Sequence, residues 1–301
     1  MSAIVVLGSA NMDLVVRQPR LPHPGETMFG SAFDTIPGGK GLNQALAAAR
    51  AGGDVGFLGA VGRDAFGDAL RRALDDDGVD THGLAEVDEP TGTAHISVLD
   101  GGENAIVVVS GANAAITALD EASQRRIENA RYLVAQFERP LELITEAFTV
   151  AHGLGITTVL TPAPVTAVDP QLLKLVDILI PNAQEACELA GVDDETEAAI
   201  ALSRSAELVV MTRGARGALV ARDGKVELEV PSRAVDAIDT TAAGDTFAGV
   251  LVAFLAEGAT LEDALAAATV AASISVTRVG ASTSMPVRTE IDGVLLEERF
   301  A

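Results

Sequence analysis

The sequence predicts an α/β protein with a mostly parallel central sheet and a small β-strand lid. Three observations predict it. Short apolar runs alternate with helical periods along most of the chain, glycines punctuate the junctions, and two strand–turn–strand stretches interrupt the alternation.

In chain order, "AIVVLGS" (3–9) is a continuous apolar run ending in glycine, the pattern of a strand buried on both faces. "LNQALAAARAGG" (42–53) reads as a helix stopped by paired glycines, and "DVGFLGAVG" (54–62) as the next strand. A helix follows at 64–78, then strand 132–137, helix 140–152, strand 157–163 and strand 177–182. Helices near 183–190 and 195–205 lead to strand 207–214. Strands and helices at this spacing make βαβ units with right-handed crossovers. "TAHISVLDGGENAIVVVSG" (93–111) and "GALVARDGKVELEV" (217–230) are hairpins by their central turns, and 13–34 carries further strand signals. No repeat, low-complexity stretch or linker divides the chain. One domain over 1–301 is expected, with lid strands inserted at about 13–36 and 93–110.

Composition narrows the function classes. Hydrophobic residues make up 48% of 301, enough for a large core, while aromatics at 3% favour close helix-on-sheet packing. A net charge of −22 leaves no basic stripe for a nucleic-acid duplex. The single cysteine, Cys187, excludes an internal disulfide and a cysteine zinc site, and reads as a small buried residue. The first residues lack a basic-then-apolar leader and no long apolar run follows, so a soluble, cytoplasmic protein is expected. The four histidines have no metal-like spacing, no G-x-S-x-G elbow occurs, and no G-x-G-x-x-G follows the first strand.

Two stretches carry chemistry. "GGKGLNQA" (38–45) places Lys40, one of only three lysines, among glycines that open a helix. It is not a phosphate-binding P-loop, because Gly41 stands where that motif needs Ser or Thr to follow the lysine. In "AIDTTAAGDTFAGVLVAFLAEG" (237–258), Phe247, Val250, Leu251, Phe254 and Leu255 share one helical face. Upstream, Ala242, Ala243 and Gly244 have almost no side chain, so their N–H groups offer an anion hole at the helix N-terminus. Asp245 follows in the first turn. It either complements the helix dipole or accepts a proton from a hydroxyl attacking phosphorus, and spacing alone leaves both readings open.

"DTTAAGD" resembles the signature of the ribokinase-like (PfkB) family of sugar kinases. "GSANMD" (8–13), "PGET" (24–27), "GGKGLNQA" (38–45), "GANA" (111–114), "TPAP" (161–164), "PNAQE" (181–185), "TRGARG" (212–217) and "VTRVGASTSMP" (276–286) follow in that family's order over nearly the whole chain. Within the family the glycine-lysine run and "GANA" are most similar to those of ribokinase. The resemblance implies a ribokinase-like three-layer α/β/α domain and phosphorylation of a sugar hydroxyl by ATP, D-ribose to D-ribose 5-phosphate. Asp245 is then the general base and Ala242, Ala243 and Gly244 the anion hole. It implies that Asn11, Asp13, Gly38, Gly39, Asn43 and Glu138 hold the sugar; their paired donors and acceptors suit vicinal hydroxyls. Lys40 falls near the sugar or the transferred phosphate, with a structural role as the alternative. Asn182 and Glu185 match the motif that organises Mg²⁺ and the nucleotide phosphates through water, although that spacing also arises from helix caps. Thr212, Gly214, Gly217, Gly244 and Thr269 are implied to line the nucleotide site. Asp239, Thr241, Ser275, Arg278, Gly280 and Ser284 match positions around a K⁺-like cation.

The chain departs from the family at Thr161, where Asn is usual, and at Leu42, where Ala is common. Rival readings are a kinase of another sugar or of a nucleoside, such as fructose or a deoxyribose, and a non-catalytic sugar- or nucleotide-sensing protein. Loss of the base would mark the last, and Asp245 is present. The partners expected are the sugar and ATP, with neither nucleic acid nor membrane, and a homodimer formed through the lid strands.

Overall fold

The computed structural model describes residues 2–101, 103–167 and 169–299. In chain order the strands are β1 (Ile4–Leu7), β2 (Asn11–Gln18), β3 (Ala32–Gly38), β4 (Val55–Gly62), β5 (Asp80–Val87), β6 (Gly92–Leu99), β7 (Asn104–Val109), β8 (Tyr132–Gln136), β9 (Thr157–Thr161), β10 (Ile178–Leu179), β11 (Leu208–Thr212), β12 (Ala218–Arg222) and β13 (Lys225–Val230). The helices are α1 (Lys40–Arg50), α2 (Ala65–Asp76), α3 (Glu121–Glu128), α4 (Leu141–Gly153), α5 (Pro170–Leu173), α6 (Ala183–Ala190), α7 (Glu195–Leu202), α8 (Ala243–Glu257), α9 (Leu261–Ser275) and α10 (Arg288–Arg299).

Nine strands form the central sheet in the order β13-β12-β11-β10-β9-β8-β1-β4-β5. All are parallel except the last hairpin, which adds β12 and β13 antiparallel to β11. Alternate side chains of β1 enter opposite layers. Ile4 and Val6 pack in a core with α1, α2, α8, α9 and α10, while Val5 and Leu7 pack in a second core with α3 to α7. The sheet is therefore sandwiched between two helical layers. The chain leaves β1 toward β4 and β5 on one side and returns through β8 toward β11 on the other. Such a reversal opens a crevice at the carboxyl ends of the central strands, here β1 and β8.

Out of that crevice grows a second sheet, β3-β2-β6-β7. Asn11, its first residue, pairs with Gly38 on β3 and Gly92 on β6. The turn joining β6 to β7 contains Gly102, which lies outside the described residues.

Some boundaries depart from the sequence reading for local reasons. β9 stops at Thr161 because Pro162 has no N–H to continue the ladder, and Pro181 likewise limits β10 to two residues. Helix α8 is buried on every side from Asp245 to Phe254, so its apolar residues form no single stripe; Leu255 is its half-exposed member. It lies against α1 so closely that a Cβ at Gly249 would come 2.5 Å from the Gln44 carbonyl oxygen and 2.7 Å from the Ala47 Cβ. Cys187 is half-buried on α6, its Sγ 3.6 Å from the Asp193 carbonyl oxygen, because the deep position of that helix belongs to Ala186.

Candidate active site

The ends of β1 and β8 set the floor of the crevice. Just beyond them, the Ser9 hydroxyl donates to Glu138 Oε2 at 2.5 Å. The same carboxylate oxygen accepts the Lys40 N–H at 3.0 Å, fixing the start of α1 over the crevice. The glycines of the "GGKG" run have distinct steric reasons. Gly39 caps α1 with φ +94°, a left-handed backbone that favours glycine. A Cβ at Gly38 would come 2.6 Å from the Asp13 carboxyl carbon, and one at Gly41 would come 2.6 Å from the Ser9 nitrogen. The run is glycine-rich so that helix, lid strand and sheet can converge on one point.

Asn11 is buried, and its Oδ1 accepts from Asn113 Nδ2 at 2.8 Å. Asn113 is itself anchored on the Ala10 backbone, accepting its N–H at 3.0 Å and donating to its carbonyl at 3.1 Å. "GANA" thus acts as a brace behind Asn11. Asp13 stands two residues along the strand. Burial, followed by the neighbouring charges of Glu138 and Asp245, pushes its carboxyl up to about 7.

Asp245 sits in the first turn of α8, buried, with Oδ1 accepting from Gln44 Nε2 at 2.9 Å and Oδ2 from Asn43 Nδ2 at 3.4 Å. Burial raises its carboxyl; the Lys40 charge and the Gln44 and Asn43 amides oppose the rise. Lys40 is the common counter-charge. Asp245 above all, with Glu138 and Glu185, raises its ammonium despite burial. The structure therefore brings Asp13, Lys40, Asn43, Glu138 and Asp245 into one crevice, four of them charged. Asn43 Oδ1 is buried without a partner among the described residues, an acceptor suited to a ligand hydroxyl.

The anion-hole reading needs one correction. Ala242 precedes α8 in the left-handed region at φ +56°, and the Ala243 N–H turns back to the Thr240 carbonyl at 3.3 Å. Of the three N–H groups expected to be free, Ala243 is already engaged. Gly244 has open space beside it: a Cβ there would meet no atom beyond its own helix and chain neighbours within 4 Å.

Asn182, Thr212, Gly214, Gly217, Gly244 and Thr269 line one cavity of ≈ 640 Å³ on the other side of the α8 N-terminus. The Thr269 hydroxyl is buried there without a partner among the described residues, and Phe247 and Val276 give the cavity apolar walls. Those features suit a flat aromatic ligand with a polar tail. Glu185 does not line this cavity. It forms a capping box with Asn182: the Glu185 carboxylate accepts the Asn182 N–H at 2.8 Å, and Asn182 Oδ1 accepts the Glu185 N–H at 2.8 Å. Burial raises the Glu185 carboxyl, with the Asn182 N–H and Lys40 opposing. The cap and the orientation toward Lys40 coexist.

Of the six residues expected around a monovalent cation, Asp239 and Thr241 lie in the loop before α8 and Gly280 is tied to it. Asp239 Oδ1 accepts from the Thr241 N–H at 2.9 Å and hydroxyl at 2.6 Å, and its Oδ2 from the Gly280 N–H at 2.9 Å. Arg278 is paired with Glu290, while the Ser275 and Ser284 hydroxyls donate to the Ala272 and Ala281 carbonyls. Among the described residues no group of three or more His, Cys, Asp or Glu stands together for a metal. The donor set here is one carboxylate, hydroxyls and carbonyls, which fits a singly charged hard cation better than a transition metal.

Sequence reading missed three supporting residues: Ser9, Gln44 and Asn113. Gln44 was visible as the second of two consecutive amides at a helix start, but its partners lie more than ninety residues away in the chain. Thr161, one of the departures, accepts from Gln44 Nε2 at 2.9 Å and so stands one hydrogen-bonded side chain away from Asp245.

Comparison with known proteins agrees with this architecture. The model of the pfkB family carbohydrate kinases matches residues 1–288. Ribokinase of Haemophilus influenzae is 41% identical over 295 residues, covering 95% of this chain and 96% of the relative. Ribokinase of Bacillus subtilis is 40% identical over 299 residues, covering 98% and 100%. Among solved structures, ribokinase of Arabidopsis thaliana complexed with ribose and ATP superposes with a TM-score of 0.92 at 31% identity, covering 98% of each chain. A family match over so much of the length, with a solved ribokinase superposing on nearly the whole chain, has one conclusion: this chain belongs to the pfkB family of carbohydrate kinases.

Proposed function

We propose that this carbohydrate kinase is a ribokinase, transferring the terminal phosphoryl group of ATP to the 5-hydroxyl of D-ribose. The observation that carries the reading is the buried Asp245 at the mouth of α8, held by Gln44 and Asn43 and faced by Lys40. Curated relatives at about 40% identity bear the same activity in their names.

In this reading the sugar lies over Gly38 and Gly39, with Asn11, Asp13, Asn43 and Glu138 bonding its hydroxyls and Asn113 bracing Asn11. Asp245 accepts the proton of the attacking hydroxyl. Its burial makes it a stronger base than an exposed carboxylate, and the Lys40 charge opposes that rise. The N–H groups of Ala242 and Gly244, at the positive end of α8, receive charge developing on the transferred group, and the engaged Ala243 shapes the loop. Asn182, Thr212, Gly214, Gly217 and Thr269 hold the nucleotide. Glu185 and Asn182 would hold Mg²⁺ through water, which supplies charge neutralisation on the phosphates. The Asp239, Thr241, Ser275, Arg278, Gly280 and Ser284 region would hold K⁺ and steady the loop before α8.

The chain is read as one functional domain over 1–301 with its lid strands, and as a cytoplasmic enzyme; no helix among the described residues is long and apolar enough to cross a membrane. A homodimer through the lid strands is part of this reading. Val107 is 66% exposed and Phe33 61%, with Ile106, Val108 and Val109 also bare, an apolar sheet that a second copy would cover. Sedimentation should give a dimer; a monomer at working concentration overturns this part.

The activity test is ADP release from ATP and Mg²⁺ across a panel of sugars and nucleosides, with and without K⁺. Ribose should give the highest rate, increased by K⁺. In Asp245→Asn, kcat should fall by roughly 10²–10⁴-fold with sugar affinity changed far less. An equal loss of ribose affinity would remove Asp245 from the role of base.

A further inference from the structure

Gln136 closes β8 and is buried, yet nothing in the reaction described above uses it. Along β8 the side chains of Val134 and Ala135 enter opposite layers, so Gln136 falls on the Val134 face, toward α1 and α8. There it makes one side-chain hydrogen bond among the described residues, donating from Nε2 to Gln44 Oε1 at 2.7 Å. Its own Oε1 is buried without a partner among those residues, where a Cβ at Gly8 would come 2.7 Å from it. A buried amide carbonyl left unpaired is costly, and a polar side chain held at that cost calls for a reason.

The reason lies in the direction of the amides. Gln44 can meet Asp245 with either end. Its NH₂ suits the ionised carboxylate, which only accepts, and its carbonyl suits the protonated acid, which donates. Thr161, the other neighbour of Gln44 Nε2, sets no direction, because a hydroxyl donates or accepts by rotation. Gln136 does set it. With Gln136 Nε2 against Gln44 Oε1, turning Gln44 over would bring amide nitrogen against amide nitrogen. Turning both over would put the bulkier NH₂ of Gln136 where its oxygen now lies beside Gly8. The Gln44 donor therefore stays on Asp245 Oδ1, at 2.9 Å, whether or not that carboxyl holds a proton.

We infer that Gln136 is a positioning residue for the proton transfer: it locks the Gln44 amide as a standing donor to Asp245, two side chains removed from the reacting hydroxyl. The inference rests on the role of Asp245 proposed above and deepens it. A donor that cannot turn favours the ionised carboxylate, the form able to take a proton. The charges near Asp245 are Lys40 at the start of α1, Asp13 on β2 and Glu138 beyond β8. Among the described residues Gln136 bonds none of them, so its path to Asp245 runs through Gln44.

The test is an NMR titration of isotopically labelled aspartate carboxyl carbons, without sugar or nucleotide, with the Asp245 signal identified by its loss in Asp245→Asn. In Gln136→Leu the midpoint of that signal should rise by roughly 0.5–1 pH units, as Gln44 becomes free to turn its carbonyl toward the protonated acid. In Gln44→Leu the midpoint should rise too, and adding Gln136→Leu to it should change nothing further. An unmoved midpoint in Gln136→Leu overturns the inference. So does an equal rise in both backgrounds, which would mean that Gln136 acts by packing. Should Gln136→Leu fail to fold, Gln136→Met, unbranched and of similar length, is read in the same way. Because no substrate is present, the titration decides the lock by itself, and failure of the sugar assay would overturn the ribokinase reading alone.

Discussion

The Gln44 amide nitrogen lies 2.9 Å from Asp245 Oδ1 and also 2.9 Å from Thr161 Oγ1, while its carbonyl accepts from Gln136 Nε2 at 2.7 Å. One buried side chain on α1 thus ties the carboxylate of α8 to the ends of β8 and β9. Replacing Gln44 by Leu removes a donor that favours the ionised carboxylate. The basic form of Asp245 should then require a higher pH. We expect the acidic limb of kcat against pH to move upward in Gln44→Leu, with kcat at neutral pH reduced roughly 10–100-fold. An unshifted limb would show that Gln44 only packs.

Asp13 should make stability and sugar binding depend on pH in opposite senses. Its folded pKa, about 7, lies above the ordinary 3.8, so the folded protein retains a proton that the unfolded chain has released. Stability is therefore lost as pH rises between those values, by at most about 4 kcal/mol from this group. Ribose hydroxyls prefer the carboxylate, so affinity should improve over the same range. Asp13→Asn should flatten the stability slope and weaken ribose binding by about 10–100-fold. Denaturant titrations and ribose binding at pH 5 and 8 check both.

Ala242 holds a left-handed backbone, φ +56°, that its methyl group disfavours. Ala242→Gly should stabilise the fold by about 1 kcal/mol less the entropy glycine adds to the unfolded chain. Urea unfolding measures the balance, and a loss of stability would mean that the unfolded-state entropy dominates.

Lys40 faces three carboxylates. In Lys40→Met the repulsion among them is unrelieved, so Asp245 should hold its proton to higher pH. We expect a lower kcat at pH 7 with partial recovery at pH 9. A pH-independent loss would instead assign Lys40 to contact with the transferred group.

The layers and the alternation were legible because each leaves a local mark, whereas Asp13 and Glu138 were expected at the crevice only through the family resemblance. Val5 and Val6 announce a strand with two buried faces, and Asp245 after three small residues announces a helix start. Gln44 and Asn113 left no such mark, since an amide declares its partner only when distant segments meet. Arg139 was silent for the same reason: a single arginine after a strand looks like surface until the chain closes over it. The short β10 was misjudged because an apolar run shows burial, whereas pairing depends on where a proline removes a donor.

Gly249 has a consequence for turnover. With the backbones of α1 and α8 in direct contact there, Asn43 on α1 and Asp245 on α8 ride on one rigid frame. Admission and release must then be handled by the strands above the crevice. Solvent viscosity should slow the opening of those strands without altering the geometry of proton transfer, leaving the chemistry ready before the substrate arrives.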